Sequence, residues 1–168
     1  MLFYDYLGKY VNLQPNDKIS DFIKQIRSDE DFPKKATRFD TVFKYIAGNT
    51  TIFVDDPIIM FRVLTLLWKE YEYYVFFTTE PYKSTLEDKN INIEDINPSE
   101  RIRWTEIRDF YLHTCSFSFE HSCFEALEDI LLYRELENIK TKERAQEIMT
   151  AGKKNRRIRR NLSKEKNK

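Results

Sequence analysis

The stretch DPIIMFRVLTLLWKEYEYYV, residues 56–75, decides the fold class. Asp56 offers a side-chain acceptor to free helix amides, and Pro57 lacks an amide and already has a helical φ, so the pair starts a helix. From there Phe61, Leu64, Trp68, Tyr71 and Val75 recur at helical spacing and trace one face of a long element. Arg62 breaks the apolar run well short of the ~20 residues that span a bilayer. The segment is therefore expected to be a core helix.

Working toward the N-terminus, Phe39, Val42, Phe43 and Ile46 form a helical stripe closed by Gly48 and Asn49. Phe32 and Pro33 mark a turn before it. Ile19, Phe22, Ile23 and Ile26 form an earlier stripe, with Asp17 as its cap. Leu2, Phe3, Tyr6, Leu7 and Tyr10 predict a first helix that Pro15 ends. Only three glycines and five prolines among 168 residues, with 41% hydrophobic and 15% aromatic content, argue against a turn-rich β protein. The expected class is all-α.

Taken together, FYDYLGKY, PNDKISDF, Gln25, DEDFPK, Tyr45, Asn49, Phe61, Trp68 and Tyr71 resemble the YozE family of short bacterial proteins over residues 2–74. The spacing is altered near residues 50–60. The resemblance implies a small helical bundle similar to the sterile alpha motif and supplies no catalytic residues.

Toward the C-terminus, residues 76–97 are polar and Asn-rich and read as a linker or long loop, which confines the first module to residues 1–75. Asn97 and Pro98 start a second helical region, residues 98–150. Ile102, Ile107, Phe110 and Tyr111 suggest one helix there. Phe124, Leu127, Ile130 and Leu131 suggest another, with Ser122 and Glu125 at capping-box spacing. A last helical piece is expected around Glu143–Thr150, stopping at Gly152.

HTCSFSFEHSC, residues 113–123, holds both histidines and both cysteines. On a helix at ~100° per residue His113, Cys115, His121 and Cys123 diverge, and along a strand at ~3.3 Å per residue the ends lie ~33 Å apart. A tight reversal between Ser116 and Glu120 would be needed, and no Gly, Asn or Pro eases one. Core packing without metal is the expectation, and a zinc-stapled domain using those four residues is a lesser alternative. Asp29, Glu30 and Asp31 read as a solvated turn. No Gly-rich phosphate loop, HExxH or GxSxG occurs in the sequence. Neither enzyme chemistry nor a cofactor is expected.

Charge divides the chain. Residues 151–168 carry nine Lys or Arg against one Glu, or +8, leaving 19 basic against 27 acidic residues, or −8, in residues 1–150. Lys153, Lys154, Arg156, Arg157, Arg159 and Arg160 form paired bases in a tail expected to be disordered, and arginine's planar donors suit phosphate. The functional expectation is a non-catalytic adaptor or regulator whose tail contacts nucleic acid, with a possible protein partner on residues 1–75. A protein-interaction or oligomerisation module with no nucleic-acid role is the alternative. The start, MLFYDYLGKY, carries Asp5 and Lys9 and lacks the unbroken apolar core of a signal peptide, so a cytoplasmic protein without membrane contact is expected. The Lys-, Asn- and Ile-rich composition suggests a low-GC bacterium or its phages.

Overall fold

A computed structural model describes residues 1–10, 17–49 and 57–138, together with Thr150 and Gly152. The described residues are helical without a strand: α1 (Phe3–Leu7), α2 (Lys18–Ser28), α3 (Phe39–Gly48), α4 (Pro57–Thr78), α5 (Tyr82–Asp88), a 3-10 turn (Ile93–Asp95), α6 (Pro98–Thr114) and α7 (Phe119–Asn138). Among them no helix is long and apolar enough to cross a membrane. The chain divides into two compact units, Met1–Thr105 and Glu106–Lys168.

The first unit is built around α4, against which α1, α2, α3, α5 and the 3-10 turn all pack. A helix with neighbours on several sides must be apolar around most of its circumference. Met60, Val63, Leu64, Leu67, Trp68, Tyr73, Tyr74 and Phe77 are all buried. The buried arc is thus rotated from the face expected from sequence: Phe61 is 46% exposed, while Met60 and Leu67 take core positions. Trp68 is buried, its ring 4.8 Å from Phe3 and 5.8 Å from Phe39.

Helix α1 stops at Leu7, short of Pro15. Gly8, Lys9 and Tyr10 continue as tighter turns, their amides donating to the carbonyls of Asp5, Tyr6 and Leu7. The tighter winding still delivers Tyr10 to the core. Asp17 caps α2 as expected, accepting from the Ser20 amide at 3.0 Å and its hydroxyl at 2.8 Å. Asn49 closes α3 by donating its side-chain amide to the Tyr45 carbonyl at 2.8 Å.

Residues 76–97 differ from the expected linker, for they carry the end of α4, all of α5 and the 3-10 turn, and they bury Leu86, Ile93 and Ile96. Their asparagines cap helix ends, Asn90 at a C-terminus and Asn92 and Asn97 at N-termini. Asn90 sits at φ 54° while the Ile91 amide reaches back to the Leu86 carbonyl at 2.9 Å, a left-handed C-terminal cap that asparagine tolerates. Asn97 and Glu100 then form a reciprocal cap on α6, each side chain accepting from the other's amide, at 3.0 and 3.1 Å. The first unit accordingly extends to Thr105 and takes in Arg101 and Trp104.

In the second unit, α7 begins at Phe119, three residues before the expected cap. The Ser118 hydroxyl accepts from the His121 amide, and Ser122 lies inside the helix, donating to the Phe119 carbonyl. Tyr111 ties the unit together: its hydroxyl donates to Asp129 at 2.7 Å and its ring lies 6.0 Å from Phe117. Cys123, Ala126, Leu127 and Ile130 are buried along α7. Gly152 approaches Leu132 so closely that a Cβ would meet its methyl carbon at 2.8 Å. Residues 143–149 of the expected last helix lie outside the described residues, whereas Thr150 and Gly152 are helical.

Candidate functional site

The densest chemistry of the first unit is a polar cluster inside its core. Glu70 on α4 is fully buried, and Arg101 on α6 is 3% exposed. Arginine Nε stands 3.0 Å from Glu70 Oε1, yet neither atom has an aligned hydrogen bond, so the two meet as an ion pair off the N–H axis. Tyr10 donates to Glu70 Oε2 at 2.9 Å, and its own oxygen lies 3.1 Å from that of Tyr6. The rings of Tyr6, Tyr10 and Tyr74 stand 6.0, 5.7 and 5.6 Å from the Arg101 guanidinium carbon, placing the cation among three aromatic faces. Tyr74 also donates to Glu94, which pairs with Lys9 at 2.7 Å. Burial pushes Glu70 up to about 8 against the opposing pull of Arg101, and burial likewise raises Tyr10.

Beside this cluster α6 carries Trp104, wholly buried with its ring 4.9 Å from Tyr73 and its indole N–H without a partner among the described residues. The inward face of α6 is therefore Arg101, Trp104, Thr105, Arg108 and Tyr111, each group within its own unit. Of the expected stripe Tyr111 is buried there, whereas Phe110 is 55% exposed and Ile102 and Ile107 are half-buried. Sequence reasoning missed Glu70 and Arg101 because charged residues are ordinarily assigned to solvent. For Arg101 the i, i+3, i+7 spacing with Trp104 and Arg108 was the available signal; Glu70 had none.

A second feature is an exposed apolar ridge. Ile58 is 64% exposed at the start of α4, and Ile59 and Phe61 continue it. Phe61 lies 5.3 Å from Phe43, which stacks 6.0 Å from Phe39, so α3 and α4 share the ridge.

The residues of HTCSFSFEHSC separate onto different elements. His113 ends α6, with Nδ1 at 2.8 Å from the Asp109 carbonyl. Cys115 lies in the connection, where Ser116 takes φ 54° and makes a turn that no Gly, Asn or Pro announced. His121 lies against the Phe117 ring at 4.2 Å and 3.6 Å from Glu125. Cys123 is buried, and burial pushes its thiol up to about 12. Among the described residues no three of His, Cys, Asp and Glu group as metal ligands. Asp29 braces a turn, accepting from Tyr45 at 2.7 Å and from the Asp31 amide at 3.0 Å. Lys153, Lys154, Arg156, Arg157, Arg159 and Arg160 lie outside the described residues.

Residues 3–73 match the model of the YozE SAM-like fold. The UPF0346 protein YozE of Bacillus subtilis is 33% identical over 70 residues, which are 42% of this chain and 88% of that protein. This chain belongs to the YozE family. A second UPF0346 protein, from Bacillus licheniformis, is 40% identical over 47 residues, 28% of this chain and 64% of the relative's own length. No solved structure matches. The YozE match ends at residue 73, whereas the compact unit continues to Thr105. Glu70 and Tyr73 thus lie within the family segment, and the Arg101 and Trp104 they touch lie beyond it.

Proposed function

We propose that the chain is a non-catalytic adaptor of the cytoplasm whose first unit docks a protein partner through the α3–α4 ridge. The supporting observation is the contiguous exposure of Ile58, Ile59 and Phe61 beside Phe43, in a unit that otherwise buries most of its large apolar side chains. Exposed apolar clusters of this kind mark interaction surfaces. The test is affinity capture from the native host with full-length protein and an Ile58→Ser/Phe61→Ser variant of equal thermal stability. A protein captured with nuclease present and lost with the variant supports the reading. Equal capture by both forms overturns it.

A second reading adds nucleic acid, favoured by the +8 charge of residues 151–168 against −8 in the rest. In this reading the six paired bases neutralise phosphates, and each contact on duplex DNA adds ~0.9 to the slope of log affinity against log salt. Replacing Arg156, Arg157, Arg159 and Arg160 together by Ala is expected to weaken binding across unrelated sequences and flatten that slope. An unchanged slope, or no binding by the full-length protein at low salt, removes nucleic acid from the account.

A further inference from the structure

The α3–α4 ridge carries charge as well as hydrocarbon. On α4, Ile58, Phe61 and Arg62 stand at i, i+3 and i+4 and share one solvent-facing side, all three exposed. On α3, Asp40, Phe43 and Lys44 repeat that spacing, with both charged residues exposed. The Phe43 and Phe61 rings meet at 5.3 Å between the helices, so the two sides form one surface with a cation on each. Elsewhere on the first unit Lys9, Lys24, Arg38 and Lys83 stand 2.7 to 3.7 Å from carboxylates. Lys44 and Arg62 have no such partner among the described residues, although acidic residues outnumber basic ones by 27 to 19 over residues 1–150. The acid on the same surface, Asp40, already lies 3.7 Å from Arg38.

This pattern of charge discriminates between occupants. A second copy seated symmetrically would set Lys44 and Arg62 against the same two cations, because a two-fold contact pairs a patch with itself. Like charges so placed cost affinity. Carboxylates beside apolar side chains would instead satisfy the rings and the cations together. On the docking reading of this ridge, on which the inference rests, we propose that the partner is an acidic amphipathic protein segment. Its apolar side chains cover Ile58, Phe61 and Phe43, and its carboxylates pair with Lys44 and Arg62. The rings hold the segment, while the two cations select it and speed its arrival.

A phage-displayed library of random peptides, selected on the full-length protein, reads the partner's chemistry. Selected peptides are expected to place Asp or Glu beside Leu, Ile or Phe and to lose binding to the Ile58→Ser/Phe61→Ser variant, which a peptide held by the basic tail would not. Lys44→Glu/Arg62→Glu turns two attractions into two repulsions and is expected to weaken a selected synthetic peptide by about tenfold or more. Exchanging that peptide's acids for Lys is expected to reverse the preference, the charge-reversed protein then binding more tightly than the wild type. Ridge-dependent peptides without an acidic bias, or equal binding by the charge-reversed protein, overturn the acidic partner and leave the ridge as a docking surface. The absence of any ridge-dependent peptide overturns both. Self-association in sedimentation that Ile58→Ser/Phe61→Ser abolishes assigns the ridge to a second copy, and binding to phosphatidylserine vesicles that Lys44→Glu/Arg62→Glu abolishes assigns it to a lipid surface. Either result also overturns the proposal.

Discussion

Helices α2 and α6 both bury one face, and they do so with opposite chemistry. Helix α2 turns Phe22, Ile23 and Ile26 inward and keeps Lys24 and Arg27 outside. Helix α6 turns Arg101, Trp104, Thr105, Arg108 and Tyr111 inward and leaves Phe110 in solvent. The first arrangement is stabilised by removing hydrocarbon from water, at about 25 cal/mol per Å². The second depends on each buried polar group finding compensation: Arg101 from Glu70 and three tyrosine rings, Arg108 from Asp109 at 2.7 Å and the Phe119 ring at 5.2 Å. Burial alone therefore does not say how a segment is held, and the two kinds of face should respond differently to mutation and to pH.

The sharpest contrast should come from the apolar region. Trp68→Ala removes a ring packed between Phe3 and Phe39, and truncating a buried tryptophan costs about 3–5 kcal/mol. Urea denaturation should show a loss of that order, and a loss below about 1 kcal/mol would remove Trp68 from the core. Asp17→Ala deletes the cap that receives the Ser20 amide, and thermal denaturation should report about 1 kcal/mol. Phe110→Ser should be the mildest, within about 0.5 kcal/mol, because the ring is already exposed. A cost comparable to that of Trp68→Ala would mean that α6 buries its apolar side after all.

Much of the first unit was legible in the sequence. Asp17, Pro57, Asn97 and the stripes of α2 and α3 carry their own chemical reasons, and the all-α class followed from them. The rotated face of α4 was not legible, because a helix with neighbours all round has no single apolar stripe to locate. Residues 76–97 were misleading for a different reason: asparagines that cap helices, such as Asn90 and Asn92, resemble those of a linker. The reversal at Ser116 depends on a left-handed residue that composition does not disclose. The Glu70–Arg101 pair was hidden because its compensation lies 31 residues away in the chain, beyond anything local periodicity can reveal.

The central claim is that the first turns of α6 complete the same core as the family segment, and Trp104→Ala tests it most directly. Trp68 is the other tryptophan of the chain, so in this variant its emission alone reports the family segment. Because Trp104 packs on Tyr73 of α4, its removal should shift the urea transition read at Trp68 by about 3–5 kcal/mol, within one cooperative step. A Trp68 transition identical to that of the wild type would show that residues 98–105 fold apart from it and would contradict the account.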